Sequence, residues 1–454
     1  MRRVSLGVVV ALALGAVAAA APPDPPPPTY VSPPGHSVAT FTVAAGGGGR
    51  RVLTWAAPDS RQVMRIWVVD RAPGGAFGTP AALSHPSRSA WLPRTAVMQD
   101  GTELVGWTES EPNSPWSRVM VATRRPGAAR FSRRRLARVR EPSWLSLTTG
   151  PGGAAAASWV QDTKDHIGRA AVALRTPGGW RKPEVVTDSK RTVSNARVAL
   201  DGDGNATVVW DRRPPPWKAV VERLHAARER GQAEVRAAFR PRGGRFGRAE
   251  VVSNPHHQAT DAFLAGNARG DAVVVWRTLP SQRKSVFRLS WAYRRGHGHF
   301  GKPHSATRLA SLSFPAAAIG PEGAVTIAWG GPGAQAGCDR VFIARRSPGG
   351  RLTRPAALSG CQSFGPEVTA DRAGNALVLW TPDSLARPDF KTRVEGRFVG
   401  ADGSIGPARR FSALGNGMEA EERGALAGDG TALVAWHRYA AGHHRLEALD
   451  TTVP

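Results

Sequence analysis

Cysteine is scarce in this chain, with two residues among 454. So few thiols exclude a scaffold held by many disulfides, and they exclude a zinc or iron–sulfur cluster ligated by cysteines alone. Tyrosine is also rare, with three residues, and lysine supplies only 7 of the 61 basic side chains. After the N-terminus no segment approaches 18 consecutive apolar residues, so we expect no membrane span.

The overall composition is that of a globular protein rich in turns. Apolar residues make up 41% of the chain, which excludes an intrinsically disordered protein, and Gly (51) and Pro (37) indicate many turns. The net charge of +26 comes mostly from arginine. It favours non-specific adhesion to acidic polymers, such as envelope polysaccharides or DNA, that salt should weaken.

The N-terminus predicts export. Arg2 and Arg3 precede a short apolar run over residues 6–16, and Ala18–Ala20 offer a small-residue cleavage site. The run is too short to cross a bilayer, so we expect a cleaved signal peptide and a secreted or cell-envelope location. The predicted division is a signal peptide over 1–20, a stiff proline-rich leader over 21–36 and a folded domain over 37–454.

An oxidising compartment also bears on the two cysteines. Cys338 and Cys361 would form one disulfide there, and two free buried thiols are the alternative.

A short motif that ends in tryptophan recurs eight times, at spacings of 51 to 66 residues, and in each copy a glycine lies six residues before the tryptophan. We number the repeats 1 to 8 by these pairs: Gly49/Trp55, Gly101/Trp107, Gly153/Trp159, Gly204/Trp210, Gly270/Trp276, Gly323/Trp329, Gly374/Trp380 and Gly430/Trp436. The glycine predicts a tight turn with positive φ, and the apolar residues after it predict a strand buried on both faces.

Each repeat predicts four strands, because Pro-Gly-Gly hairpin turns follow the motif and a short apolar run precedes it. Four antiparallel strands repeated eight times are typical of an all-β, eight-bladed β-propeller, with a linear β-solenoid as the alternative. We expect the motif tryptophans to pack between blades rather than to stack on sugars. The arginines that end the third strand are expected to be structural: Arg71, Arg124, Arg175, Arg240, Arg294, Arg346 and Arg397.

The last repeat is short of a fourth strand. Its last residues, 443–454, are enough for a third strand but not for a fourth, so we expect residues 28–33 of the leader to supply the missing outer strand and close the ring.

The layout resembles secreted bacterial β-propellers with sialidase-like or quinoprotein-like repeats. The signatures of both families differ from this motif: an Asp box has its glycine three residues before the tryptophan, and the quinoprotein docking motif has it four before. Asp271 has the Asp-box spacing, but Val273 stands where that box needs glycine. The resemblance therefore implies the architecture alone.

Repeat 4 contains an insertion. Its apolar residues at helical spacing predict a short amphipathic helix after Pro214–Pro216, either a lid over the channel or a helix packed on its own blade.

Ligands of propellers usually bind where the loops between the second and third strands meet. The binding candidates there are Trp116, His166, Trp217, Lys218, Arg223, Tyr439 and His443. The acids in these loops are Asp59, Glu109, Glu111, Asp162, Asp165, Asp211, Asp383 and Asp389, and no spacing marks a catalytic pair among them. The paired histidines His256/His257, His297/His299 and His443/His444 lack helical ligand spacing, so we expect neither a metal nor a cofactor.

These observations favour an exported, monomeric propeller that acts as a binding or interaction module for an envelope glycan or another exported protein. A sialidase-like glycoside hydrolase or lyase is the alternative, for which Tyr439 would be the candidate nucleophile. A polyanion binder is the third hypothesis, because residues 124–140 hold eight arginines and no acid. An outer strand protected from edge pairing by charge explains the same run.

Overall fold

The computed structural model describes most of the chain. The described residues are 25–33, 37–187, 191–213, 233–279, 287–309, 315–335, 337–371, 373–382, 391–416, 422–440 and 442–453. The predicted signal peptide and the predicted helix after Pro214–Pro216 both lie outside them. No helix of the described part is long and apolar enough to cross a bilayer.

The described residues form antiparallel sheets, most of them built from a single repeat, and one 3-10 turn at Gly47–Gly49. The strands of repeat 1 are Thr40–Ala45, Arg51–Pro58, Met64–Arg71 and Ala81–Ala82, and those of repeat 2 are Ala90–Val97, Glu103–Ser110, Trp116–Arg124 and Ser132–Thr149. The strands of repeat 3 are Ala155–Asp162, Gly168–Thr176, Gly179–Trp180 and Glu184–Val185, and those of repeat 4 are Thr192–Leu200, Ala206–Arg213, Glu234–Arg240 and Glu250–Val251. The strands of repeat 5 are Gln258–Gly266, Ala272–Leu279, Phe287–Arg294 and His304–Leu309, and those of repeat 6 are Ala316–Ile319, Val325–Pro332, Asp339–Arg346 and Ala356–Ala357. The strands of repeat 7 are Ser363–Ala370, Ala376–Pro382, Glu395–Val399 and Arg409–Arg410, and those of repeat 8 are Glu422–Leu426, Thr431–Ala440 and His443–Thr452. A small extra sheet joins Lys391–Thr392 to Gly415–Asn416 in repeat 7.

Repeats 2 and 3 share one sheet. Ser132–Thr149 is a single 18-residue strand whose first half pairs with Trp116–Arg124 and whose second half pairs with Ala155–Asp162. The arginine-rich run therefore forms an outer strand, as expected, but it continues into the first strand of the next repeat. Arg140 takes part in both pairings, so no loop separates the two halves.

The first strands of the repeats form a closed circle. Each contacts the first strand of the next repeat, and Glu422–Leu426 of repeat 8 contacts Thr40–Ala45 of repeat 1. The chain is thus all-β, with four-stranded antiparallel sheets around a central channel, and this arrangement is consistent with a β-propeller.

The motif tryptophans lie between consecutive repeats. All eight are at most 2% exposed: Trp55, Trp107, Trp159, Trp210, Trp276, Trp329, Trp380 and Trp436. Each belongs to a separate apolar cluster that combines side chains of its own repeat and the preceding one, such as Trp159 with Leu104 and Val119. Burial of an indole on this scale is a large hydrophobic contribution, so these side chains hold adjacent sheets together.

The glycine six residues before each tryptophan has the conformation that the motif predicts. All eight have φ between 76° and 91°, a range that L side chains rarely adopt. The turns that connect the first and second strands depend on them.

The leader completes the last sheet. Thr29–Tyr30 pairs with His443–Thr452 through the registers Thr29↔Ala448 and Tyr30↔Glu447, and the N–H of Val31 donates to the carbonyl of Leu446 at 2.9 Å. The segment predicted to close the ring therefore does pair with the last strand of the chain.

One disulfide links Cys338 to Cys361, with their Cα atoms 4.7 Å apart. It joins the start of the third strand of repeat 6 to the segment after that repeat's outer strand, which confirms the predicted bridge.

Candidate functional site

The motif tryptophans contribute no surface to a binding site. They are the residues by which the repeat is recognised, but burial leaves no indole face for a ligand at any of the eight positions: Trp55, Trp107, Trp159, Trp210, Trp276, Trp329, Trp380 and Trp436. A functional site has to be built from other residues of the repeat.

The buried indoles also engage some of the acids near the predicted binding loops. Nε1 of Trp107 donates to Oε1 of Glu109 at 2.9 Å, and Nε1 of Trp436 donates to Oε2 of Glu447 at 2.8 Å. Both carboxylates are 2% exposed. Glu109, one of the loop acids that the sequence offers for catalysis, is thus part of the packing between sheets.

A bulge on the first strand recurs at one position of the repeat. Five residues that each lie 15 positions before a motif tryptophan have left-handed backbone, with φ between 53° and 61°: Leu92, Trp144, Asn195, Asp261 and Gly365. The pairing with the second strand shifts at each of these positions. Because the first strands surround the channel, the bulges place backbone and side chains at its wall.

Two arginines occupy the same position of the repeat on opposite sides of the ring. Arg197 of repeat 4 and Arg423 of repeat 8 both lie 13 residues before their tryptophans. Burial lowers the pKa of Arg197 to about 10, with Asp211 acting in the other direction and the charge of Arg423 lowering it further. Repeats 4 and 8 are four apart in the ring, so this interaction crosses the channel.

Arg197 is held by its own bulge and by an aromatic ring. Its Nε donates to Oδ1 of Asn195 at 3.2 Å, and its guanidinium lies 4.6 Å from the ring centroid of Phe263 in repeat 5. Among the residues that the structure describes, Arg197 forms no salt bridge. Asn195 is buried, so its amide positions Arg197, and the partly exposed guanidinium and Phe263 ring form a surface suited to a sugar or an anionic group.

Arg423 is held in a different way. Its Nη1 donates to Oε2 of Glu367 at 3.1 Å, and the other oxygen of Glu367 accepts the N–H of Gly424 at 3.0 Å. Arg423 also lies 5.9 Å from the ring centroid of Phe41. The channel wall thus carries positive charge on both sides, with one carboxylate compensating on the side of repeat 8.

Asp211 is the acid that follows the motif tryptophan of repeat 4, and it is fully buried. Its two carboxylate oxygens accept the N–H groups of Asp261 and Ala262 at 2.7 and 3.1 Å, so it supports the bulge of the next repeat. Burial raises its pKa to about 7, and the two backbone hydrogen bonds partly offset that rise.

Glu422 is the second acid with a strongly displaced pKa. It is 4% exposed, and its Oε2 accepts the hydroxyl of Thr381 at 2.7 Å. Burial raises its pKa to about 8, and the Thr381 hydrogen bond and the charge of Arg423 act against that rise. Neither Glu422 nor Asp211 has a surface that a ligand could contact.

Two of the sequence-predicted binding residues, Trp116 and His166, lie beside the long strand Ser132–Thr149 that joins repeats 2 and 3. The ring of partly exposed Trp116 lies 4.7 Å from the guanidinium of Arg138 and 5.9 Å from that of Arg140. Exposed His166 lies beside Glu141 and Asp162, with one ligand atom of each within 4.8 Å of the others. These side chains are exposed or partly exposed.

The other described candidates lie on repeat 8. Tyr439 is 45% exposed and contacts the ring of His444 at 5.2 Å, and partly buried His443 follows the same hairpin. The structure thus separates the predicted residues into two groups on different repeats. Trp217, Lys218 and Arg223 lie outside the described residues.

The paired histidines occupy unrelated positions. Nε2 of His297 lies 2.8 Å from Asp201, and Nδ1 of His299 lies 2.9 Å from Glu250, so each has its own carboxylate. The ligand atoms of His297, Asp201 and Asp203 lie within 4.8 Å of one another on the face opposite the predicted binding loops.

The channel residues are absent from the sequence-based candidates. Their signal is weak but present, since alignment of the repeats on the tryptophan brings Arg94, Arg197, Glu367 and Arg423 to one position of an otherwise apolar strand. Because the rest of the first strand is apolar and packs between sheets, a charged side chain that recurs at this position has to face the channel.

No protein-family model matches this chain, and no curated protein does. Among solved structures, it is similar to a lectin from Burkholderia pseudomallei, with 12% identity and a TM-score of 0.51 over 83% of this chain and 100% of the lectin. It is also similar to a leech intramolecular trans-sialidase, with 11% identity and a TM-score of 0.41 over 94% and 93% of the two chains. The GH93 α-L-arabinofuranosidase of Fusarium graminearum matches with 10% identity and a TM-score of 0.44 over 83% and 97%. At such identities the likeness concerns the fold.

Proposed function

We propose that the protein is an exported, monomeric, eight-bladed β-propeller that binds a glycan at the mouth of its channel. Eight motif tryptophans on eight second strands support the blade count, as does the contact between the first strands of repeats 8 and 1. The disulfide fits an oxidising compartment.

The observation that carries the binding proposal is the position of Arg197. Its guanidinium lies over Phe263 beside the Asn195 amide, and across the channel Arg423 adds a second guanidinium. The guanidinium and the aromatic ring, both partly exposed, offer hydrogen-bond donors and an apolar surface on one wall, and the buried amide of Asn195 positions the guanidinium. We expect an acidic sugar to bind more tightly than a neutral one, because an anion there relieves the repulsion between the two arginines.

The same geometry favours binding over hydrolysis. Outside the sialidase type, which uses a tyrosine nucleophile, most glycosidases need two carboxyl groups in contact with the sugar. Asp211 and Glu422, whose pKa values are raised most strongly, are buried and hydrogen-bonded within the wall. Burial also raises the pKa of Glu103, which is buried against Arg124, and of Asp162, which is partly exposed beside Glu141. Glu367 accepts bonds from Arg423 and Gly424.

A glycan array on the mature protein, followed by calorimetry on the best sugar, tests this proposal. We expect Arg197→Gln to weaken binding at least tenfold, and Arg354→Gln, which removes the same charge from an exposed turn of repeat 6, to leave it unchanged. Equal affinity of wild type and Arg197→Gln would refute the channel site. Release of reducing sugar from the bound glycan would favour the hydrolase instead.

Polyanion binding is a second candidate, supported by the exposed arginines of the long strand Ser132–Thr149. Arg133, Arg134 and Arg135 are exposed on its outer half. Binding to heparin or duplex DNA should fall steeply with salt, by about one power of the salt concentration for each phosphate neutralised. The variant in which these three residues are glutamine should show a flatter salt dependence, and an unchanged slope would exclude this strand.

A further inference from the structure

The face opposite the predicted binding loops has a cavity between repeats 3 and 4, with a volume of about 330 Å³. Four turns surround it: the glycine turns of both repeats and the turns after their third strands. The residues that line it include four arginines and a single acid: Arg175, Arg181, Arg240, Arg242 and Asp203. It is therefore a cavity with a strong excess of positive charge.

The arginines of this cavity are weakly compensated within the described chain. Arg175 donates to the carbonyl of Gly153 rather than to a carboxylate. The nearest acid to Arg240 is Glu184, at 3.8 Å, and the Nε of Arg240 is buried without a hydrogen-bond partner. Arg181 and Arg242 are exposed at the rim.

In the first two repeats, carboxylates neutralise the charge of the equivalent arginines. Arg124 lies 2.6 Å from both Asp70 and Glu103, and Arg71 forms an ion pair with Asp450. The structural role expected for the arginines that end the third strand thus holds for Arg71 and Arg124, whose charges are neutralised inside the fold. In repeats 3 and 4 the same position faces the cavity.

Electrostatics in the cavity favour an incoming anion. Burial is the main cause that lowers the pKa of Arg175, and the charge of Arg125 lowers it further, while the charge of Asp100 acts in the other direction. Burial also lowers the pKa of Arg240, against the attraction of Glu184, and Arg181 adds repulsion. A negatively charged ligand would offset both the burial and the repulsion.

We propose that this cavity is a binding site for a phosphate- or sulfate-bearing ligand the size of a monosaccharide. Arg175 and Arg240 line its wall, and Arg181 and Arg242 can close on the anion from the rim, where planar guanidinium groups match tetrahedral oxyanions. The volume lies at the lower end of the range for small-molecule sites, which suits one sugar ring with one charged substituent. This site is on the opposite face from the channel mouth and is independent of the glycan proposal.

Calorimetry at constant ionic strength tests the site with three probes: glucose 6-phosphate, glucose 6-sulfate and glucose. We expect the two anionic probes to bind and glucose to bind at least tenfold more weakly. Arg242→Gln and Arg181→Gln, both at exposed positions, should each weaken the anionic probes about tenfold or more. Arg351→Gln removes the same charge from an exposed turn of repeat 6 and should leave both affinities unchanged.

Three outcomes would overturn the proposal. They are failure of both anionic probes to bind at millimolar concentration, equal affinity for glucose, and equal weakening by Arg351→Gln and Arg242→Gln. Binding of glucose 6-phosphate that Arg197→Gln reduces, but Arg242→Gln does not, would assign the anion to the channel instead. A thermal unfolding scan of each variant separates loss of binding from loss of fold.

Discussion

Oγ of Ser32 accepts a hydrogen bond from the backbone N–H of Leu446 at 2.9 Å, across a separation of 414 residues. The same bond recurs within single repeats, where a serine just after the outer strand accepts an N–H of the third strand: Ser84 from Ile66, Ser253 from Val235, Ser359 from Val341 and Ser412 from Val394, at 2.8 to 3.0 Å. The leader therefore reproduces the end of a repeat in both its strand and its serine.

Ser32→Ala should destabilise the fold by about 1–3 kcal/mol, because the buried N–H of Leu446 loses its acceptor. Chemical denaturation measures this effect. Thr29→Ala is the matched control, since Thr29 lies in the same segment with an exposed side chain. Equal unfolding midpoints for the two variants would show that the serine bond does not stabilise the closure.

Replacement of both Cys338 and Cys361 by serine should lower the free energy of unfolding by about 3 kcal/mol, because the bridge restricts a loop of 23 residues in the unfolded chain. Guanidinium denaturation of the variant measures the loss. The wild type in the presence of reductant should unfold like the variant. The expectation would be wrong if reductant left the unfolding curve of the wild type unchanged and the variant had the same free energy of unfolding as the wild type.

Gly270→Ala and Gly430→Ala form a matched pair of turn variants. Both glycines have φ near +80°, so each substitution should cost about 1 kcal/mol for backbone conformation alone. A Cβ at Gly270 would lie 2.7 Å from the imidazole of His297, which is hydrogen-bonded to Asp201, whereas a Cβ at Gly430 meets nothing within 4 Å. Gly270→Ala should therefore be the more destabilising by a further ~1 kcal/mol, the contribution of a displaced hydrogen bond. Equal melting temperatures would refute this.

The buried acid Glu422 makes stability fall as pH rises. Its pKa is about 8 in the fold and near 4.3 in an unfolded chain, so between these values the native state binds the extra proton. Its contribution is complete below about pH 4.3 and is lost as pH rises through about 8. Asp211, with its pKa raised to about 7, acts in the same direction.

Glu422→Gln should flatten this dependence, because the amide stays neutral. We expect the wild type to lose about 1–3 kcal/mol more than the variant between pH 5 and pH 8, measured by urea denaturation. His437, whose pKa burial lowers to about 3, acts in the opposite direction below pH 6.5, and the difference between the two proteins removes its contribution. Asp165→Asn, at an exposed acid, should leave the wild-type profile unchanged. Parallel profiles for wild type and Glu422→Gln would contradict the raised pKa.

Structural features that require one particular type of residue could be predicted from the sequence. Tryptophan is the side chain that fills the space between sheets, and glycine alone takes φ near +80° without strain, so both recur at constant positions. The single pair of cysteines left one possible bridge, Cys338 to Cys361. Because repeat 8 has too few residues for a fourth strand, the leader could be predicted to supply it.

The bulge could not be predicted, because its position carries Leu92, Trp144, Asn195, Asp261 or Gly365. These side chains share no chemistry. The shape of the first strand is set there by packing around the channel rather than by the residue's own preference. Arg197 lies two residues beyond the bulge of repeat 4, and Arg423 has the same distance from its own tryptophan, so neither could be predicted from the position of the bulge. The continuity of Ser132–Thr149 was missed because Pro142 and Ser143 predict a break.

The pairing of Thr29–Tyr30 with His443–Thr452 has a consequence for biogenesis. The two paired segments lie more than 400 residues apart along the chain, so the circle cannot close until His443–Thr452 has been synthesised. The sheets of the earlier repeats are therefore made while the ring is still open.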